Sequence, residues 1–245
     1  MIQNTNYSSI LKSKEQGKKQ FAVLIDPDKF KSTKIIKLAE SVGTDFILVG
    51  GSLISSGNFE KCIKNIKAIT SIPVIIFPGN NLQVSKSADS ILLLSLISGR
   101  NPDFLIGQHV ISAPFLKSSG LEIIPTGYML IESEKQTAAS YMSNTIPIPN
   151  DKYDIAMSTA MAGEMLGLKL IYMDAGSGAK KSVPSEMINK VSSSIKIPLV
   201  IGGGINSAAK ATAACKAGAD IIVVGNALEK DSSLIRNISH AIHKF

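Results

Sequence analysis

The chain has 245 residues, 44% of them hydrophobic and 18% charged, which gives it material for a large core and excludes a disordered chain. No run approaches about 18 apolar residues, which excludes a membrane-spanning helix, and the polar first twenty residues lack the apolar centre of a signal peptide. The formal charge of +7 favours anionic partners, but the lysines are scattered over helix faces and no nucleic-acid-binding motif appears. A solvated basic surface accounts for most of them, leaving peripheral contact with an anionic membrane, or attraction of a diphosphate, as their functional use.

In chain order, short apolar runs alternate with amphipathic ones. A first strand at 21–25 (FAVLI) ends in Asp26-Pro27-Asp28-Lys29, and a helix at 32–42 carries Ile35, Ile36, Leu38, Ala39 and Val42 on one stripe. Strand two (45–49) ends in Gly50-Gly51-Ser52, a helix follows at 61–69, and strand three (74–77) ends in Pro78-Gly79-Asn80-Asn81. Strand four begins at 90, so the third unit has little room for a full helix. The pattern continues with a helix at 102–116, strand five from 122 through 131, a helix at 134–140 and a loop at 146–149. A long helix at 151–166 leads to strand six (169–173), and the helix at 184–191 places Pro184 in its first turn, a favoured position.

The end of the chain repeats one device. Strand seven (199–201) runs into Gly202-Gly203-Gly204, and strand eight (221–224) runs into Gly225-Asn226, each just ahead of a helix. Unpaired backbone N–H groups and the helix dipole suit an anion there, and glycine lets the backbone approach it. In a (β/α)₈ barrel the loops after strands seven and eight commonly bind phosphate. The alternative is that the glycines only form short turns. Eight strands separated by helical patterns predict a single α/β domain over 1–245, a closed (β/α)₈ TIM barrel with its functional residues at the strand C-termini.

Those strand ends hold Asp26, Asp28, Ser52 and Asp174. Their hard oxygens suit Mg²⁺, which completes its shell with water and substrate phosphates; no His/Cys cluster suggests zinc or iron. Asp26 and Asp28 have a second reading, as turn and cap residues. Asp174 stands between a strand and the glycine-rich loop of Tyr172-Met173-Asp174-Ala175-Gly176-Ser177-Gly178, where it can accept a proton from a bound hydroxyl or cap the turn. Tyr172 either meets a substrate or packs in the barrel. His109, His240 and His243 fall in helical segments away from strand ends and read as structural or solvated. Cys62 and Cys215 lie in helix-like segments outside any motif and suit buried thiols in a reducing, cytoplasmic setting.

Eight motifs recur in register: Asp26-Pro27-Asp28-Lys29, Gly50-Gly51-Ser52, Phe77-Pro78-Gly79-Asn80, Ser98 to Pro102, Ile124 to Tyr128, Tyr172 to Ala179, Gly202 to Ile205, and Gly225-Asn226-Ala227. Together they resemble the geranylgeranylglyceryl phosphate synthase family, which includes the heptaprenylglyceryl phosphate synthases. Arg100-Asn101-Pro102 and the 124–128 stretch resemble its longer, archaeal-and-Bacteroidetes-like branch. The resemblance implies a modified barrel with the third helix replaced by a loop. It also implies transfer of a prenyl group from its diphosphate, geranylgeranyl diphosphate or a longer donor, to the C3 hydroxyl of sn-glycerol 1-phosphate. By position, Asp26 and Ser52 would hold Mg²⁺. Tyr172, Met173, Asp174, Ala175, Gly176, Ser177, Gly178, Gly203, Gly204, Gly225 and Asn226 would hold glycerol 1-phosphate. Asp174 would be the base, and the protein would be a dimer or hexamer.

Two departures stand out. The base position is usually glutamate in the family and is one methylene shorter here. Leu24 occupies a position where the family's shorter branch has a lysine, so no phosphate contact is assigned to it. Other readings of the same turns are an isomerase or aldolase, a flavin-dependent barrel enzyme and a non-catalytic phosphate-binding barrel. No strand ends in the lysine that a Schiff-base aldolase needs.

Overall fold

The computed structural model describes residues 5–245; residues 1–4, which open the polar N-terminal stretch, lie outside the described residues. Eight parallel strands close in sequence order: β1 (Gln20–Ile25), β2 (Phe46–Val49), β3 (Val74–Ile76), β4 (Ser90–Leu96), β5 (Glu122–Leu130), β6 (Leu170–Asp174), β7 (Leu199–Gly202) and β8 (Ile221–Val224). β8 returns to β1 with Gln20 opposite Ile221 and Val23 opposite Val224. The chain is a (β/α)₈ barrel, as its alternation predicts. Each strand is apolar on both faces because each face is covered. Ala22, Leu48, Ile75, Leu92, Tyr172, Val200 and Val223 fill the barrel, while their neighbours Val23, Val49, Ile76, Ile91, Met173, Ile201 and Val224 pack under the helices. The period of two therefore decides which strand-end residues reach the inner face.

Residues 77–89 connect β3 to β4 without a helix, as the short third unit implies. The other connections carry α2 (Lys34–Ser41), α3 (Phe59–Lys67), α4 (Gln108–Ser119), α5 (Ala138–Ser143), α6 (Tyr153–Met165), α7 (Ser185–Ser192), α8 (Ala208–Lys216) and the short α9 (Asn226–Lys230), with α10 (Leu234–His243) at the end. Two boundaries differ from expectation. The helix placed at 134–140 starts later, because Thr137 and Ser140 form a capping box at its true start and Glu134 has a left-handed φ of 60°. Pro184 stands before the first turn of α7 as its N-cap, with an extended ψ of 138°.

A helix with no apolar stripe to announce it closes the bottom of the barrel: α1 (Asn6–Glu15), in which Ile10 is the buried residue. Partners elsewhere supply what its pattern lacks. Thr5 and Ser8 make a capping box, and the Glu122 carboxylate accepts from the N–H groups of Asn6 (2.8 Å) and Tyr7 (3.0 Å). Ile10 and Tyr7 then join the inner core.

The helix expected at 102–116 also departs from the usual form. It opens with a π-turn at Asp103–Gly107 before α4, and it faces the wrong way for a core helix. Ser112 is buried beside Leu116, whereas Val110, Ile111 and Phe115 are exposed.

Candidate active site

β6 delivers Tyr172 and Asp174 to the inner face and sends Met173 and Ala175 outward into the helix-packed layer. Any contact those two make with a ligand is therefore through backbone atoms. Asp174 is 7% exposed. Its Oδ2 accepts from the Tyr128 hydroxyl at 2.6 Å, and its Oδ1 accepts from the Gly176 N–H at 2.7 Å. Burial pushes the pKa of Asp174 up, while these two hydrogen bonds stabilise the ionised form and pull against that rise. The phenols of Tyr128 and Tyr172 are pushed well above the usual tyrosine range, chiefly by burial and then by the carboxylate, so both stay protonated. Phe77 stacks on Tyr172 (5.1 Å, 21°) and meets Tyr128 edge to face (5.7 Å, 75°), which fixes both rings.

Two glycine turns close round this carboxylate. Gly203 and Gly204 have φ of 78° and 71°, and Gly176 and Gly178 have φ of 89° and 72°. A β-carbon on Gly203 would stand 2.6 Å from the Gly176 nitrogen and 2.7 Å from Asp174 Oδ1. Glycine is required there both for the backbone conformation and for the close approach. Among the described residues, the N–H groups of Gly203 and Gly204 meet no acceptor within the protein. The Asn226 amide is oriented with its NH₂ toward Glu229 Oε2 (2.7 Å) and its oxygen toward Ser177 Oγ (2.9 Å) and Gly178 N (3.1 Å), which satisfies every group. Its side chain thus ties the turn after β6 to the turn after β8, leaving its own backbone N–H at the start of α9 without a partner in the helix.

Across the pocket, Asp26 and Ser52 stand on the ends of β1 and β2, with Gly51 backing onto the Asp26 carboxylate. Asp28 belongs elsewhere. Its carboxylate accepts from Ser55 N (2.8 Å), Ser56 N (3.1 Å) and Gly57 N and so pins the loop after β2; those bonds lower its pKa to about 2. Gln83 is buried and ties the loops after β2 and β3 together, donating to Gly51 O (2.9 Å) and accepting from Gly79 N (3.0 Å). Lys29, which closes the Asp26-to-Lys29 motif without a role assigned to it, and Glu229, which no sequence signal singles out, complete the polar wall. The Lys29 ammonium lies 2.9 Å from Asp26 Oδ2 and 3.3 Å from Glu229 Oε2.

Asp26, Ser52, Tyr172, Asp174, Gly176, Ser177, Gly178, Gly203, Gly204, Gly225 and Asn226 therefore line one cavity at the C-terminal mouth of the barrel. A second cavity runs from it between the loop after β3, β4 and α4. Leu92, Leu94, Leu96, Phe104 and Leu116 make this groove apolar, and it opens where the third helix is missing. Gly51, Ser52, Phe77, Tyr128 and Ala139 line both cavities, so the groove and the polar pocket are one cleft. His109 is not merely a surface group: with Gln108 and Ser112 it puts the polar face of α4 on the groove. Among the described residues, its Nδ1 and the Gln108 Oε1 are buried without a partner. His243 is structural, 2.9 Å from Asp45, and Cys62 and Cys215 are buried free thiols with pKa values pushed up by burial to about 12 and about 11. No described helix is long and apolar enough to cross a membrane.

Comparison with known proteins follows the same lines. The family model described as the PcrB family matches residues 13–242. A geranylgeranylglyceryl phosphate synthase of Chitinophaga pinensis is 54% identical over 245 residues, 99% of this chain and 97% of that protein. One from Pyrococcus abyssi is 42% identical over 90% of this chain and 88% of its own length. The crystal structure of (S)-3-O-geranylgeranylglyceryl phosphate synthase from Thermoplasma acidophilum in complex with sn-glycerol-1-phosphate superposes with a TM-score of 0.92. It is 33% identical and covers 98% of this chain and 99% of that one.

Proposed function

This chain belongs to the PcrB family, and from that premise we propose that it transfers a geranylgeranyl group from its diphosphate to the C3 hydroxyl of sn-glycerol 1-phosphate. The observation that carries this reading is the single cleft in which an anion-ready polar pocket and an apolar groove share Phe77, Tyr128 and Ser52. A phosphate-binding isomerase has no use for the groove. The twin-turn geometry supports glycerol phosphate at the N–H groups of Gly203, Gly204 and Asn226, which suit its phosphate oxygens. The prenyl chain lies in the groove, which brings its C1 to the junction. Asp174, at the floor of the polar pocket, takes the C3 hydroxyl proton as the oxygen attacks C1, and the C1–O bond electrons leave with the diphosphate. Tyr128 holds the carboxylate in place meanwhile, and the rings of Phe77 and Tyr128 stand at the junction where positive charge develops on the allylic carbon.

The donor set fits Mg²⁺. Asp26 and Ser52 offer hard oxygens on one wall, and a cation already stands against Asp26 in the form of the Lys29 ammonium. Among the described residues no group of three His, Cys, Asp or Glu side chains is placed to hold a metal. The remaining ligands of an ion held by Asp26 and Ser52 would be water and substrate oxygens, as is usual for Mg²⁺. Bound there, Mg²⁺ supplies charge neutralisation for the departing diphosphate. Buried free thiols support a reducing, cytoplasmic setting. The exposed apolar side chains Ile106, Val110 and Phe115 support a homo-oligomer sealed there, and Phe115→Glu is expected to lower the sedimenting mass.

The test of the reaction is product formation from geranylgeranyl diphosphate and sn-glycerol 1-phosphate with Mg²⁺, run beside EDTA and beside sn-glycerol 3-phosphate. Metal-dependent geranylgeranylglyceryl phosphate from the first acceptor is expected. Failure with this donor and with a longer prenyl donor would overturn the proposal.

A further inference from the structure

Lys29 occupies an unusual place for a lysine beside a metal-binding carboxylate. It follows β1 in a tight turn, its N–H bonded to the Asp26 carbonyl at 3.0 Å, so its ammonium is tethered three residues from the carboxylate it neutralises. Asp26 Oδ1 is engaged by the Asp28 N–H at 3.0 Å, within the same turn. Oδ2 is the oxygen that Lys29 covers, at 2.9 Å. An ammonium at that distance and a divalent ion at about 2.1 Å cannot share the same face of one oxygen, since their charges repel and the ion's shell needs the space. Something must move when metal binds.

The structure provides for that movement. Lys29 has a second anchor, Glu229 at 3.3 Å, which the Asn226 amide holds in place at 2.7 Å. Its side chain is 49% exposed, so giving up one of two ion pairs costs little. Without Lys29, Asp26 and Glu229 would face each other as like charges. Without a metal, Lys29 and Lys230 stand against the carboxylates of Asp26, Asp174 and Glu229, so the pocket carries net negative charge and repels a diphosphate. With Lys29 and a divalent ion together, it carries positive charge and attracts one.

We propose that Lys29 is a resident counter-cation of the metal site. It neutralises Asp26 and Glu229 in the ligand-free enzyme, yields Asp26 to the incoming divalent ion, and remains on Glu229 as a second positive charge for the diphosphate. The proposal rests on the metal position read above, and the experiment separates the two.

Mn²⁺ is the probe, an oxygen-site substitute for Mg²⁺, and its free concentration is followed by electron paramagnetic resonance without substrate. Wild type, Lys29→Met, Lys230→Met and Asp26→Asn are compared as full chains. Lys29→Met, which keeps the stem and removes the competitor, is expected to bind Mn²⁺ about fivefold more tightly, the equivalent of about 1 kcal/mol. Lys230→Met removes an equal charge from the same pocket wall without an ion pair to Asp26, and its affinity is expected to stay within about twofold of wild type. Equal affinity in wild type and Lys29→Met, or no detectable binding in either, overturns the role of Lys29, as does equal tightening in Lys230→Met. Binding that survives Asp26→Asn overturns the metal position itself.

Discussion

As the proposed base, Asp174 carries conflicting requirements. A base must be ionised to act, yet its burial favours the neutral acid, and only the Tyr128 hydroxyl and the Gly176 N–H favour the charge. Tyr128→Phe removes one of those two bonds while keeping the ring, so the acidic limb of the pH–rate profile is expected to move to higher pH. An unmoved limb would separate Tyr128 from the base. The same burial sets the sign for stability. A carboxyl whose folded pKa is raised stabilises the fold while protonated, fully below its unfolded pKa, and loses that contribution as pH rises through the folded value. Asp174→Asn is therefore expected to melt no lower than wild type at neutral pH, with the difference closing in acid; a lower melting temperature at neutral pH would contradict this. Residue by residue, the sequence revealed Asp174, Asp26 and Ser52 because a closed barrel gathers strand ends. It concealed Glu229 and the roles of Lys29, which meets Glu229 only once β8 closes on β1, and of Tyr128, whose inward aim follows from strand register.

At the scale of the elements, the turns after β6 and β7 are built against each other with no space for side chains. Gly203→Ala adds a β-carbon 2.6 Å from the Gly176 nitrogen at a φ of 78°. A left-handed alanine alone costs roughly 1–2 kcal/mol, and the clash displaces the loop that carries Asp174. The expected result is a KM for glycerol 1-phosphate raised at least about tenfold, about 1.4 kcal/mol, with a lowered melting temperature; unchanged kinetics would mean that the turn does not meet the phosphate. The glycine pattern made these turns legible from sequence. Two helices were harder to read. α1 has its determinants far away in Glu122, which no local pattern reveals. α4 reads as an ordinary amphipathic helix, but Gln108, His109 and Ser112 face the groove beside Leu116 while Val110, Ile111 and Phe115 face out, and periodicity cannot tell which side is inside.

At the scale of the whole molecule, omission of one helix converts a general phosphate-binding barrel into one with a place for a long apolar chain. The sequence showed the omission as a short third unit, while the groove's walls come from β4, α4 and the loop after β3, which only the closed structure brings together. Ser112 faces the groove from α4, beyond the Phe77–Tyr128 junction. Ser112→Trp is expected to raise KM for geranylgeranyl diphosphate more than for a fifteen-carbon donor. An equal effect on both would place the chain elsewhere.

The central claim is that one cleft presents a fixed hydroxyl to an allylic carbon and that Asp174 takes the proton. The most direct measurement is single-turnover product formation by Asp174→Asn, paired with calorimetric binding of sn-glycerol 1-phosphate to the same protein. Binding retained within a few-fold, with the rate of ether formation down by about 10²–10⁴ as for loss of a general base, is the predicted result. Product formed at the wild-type rate would contradict it.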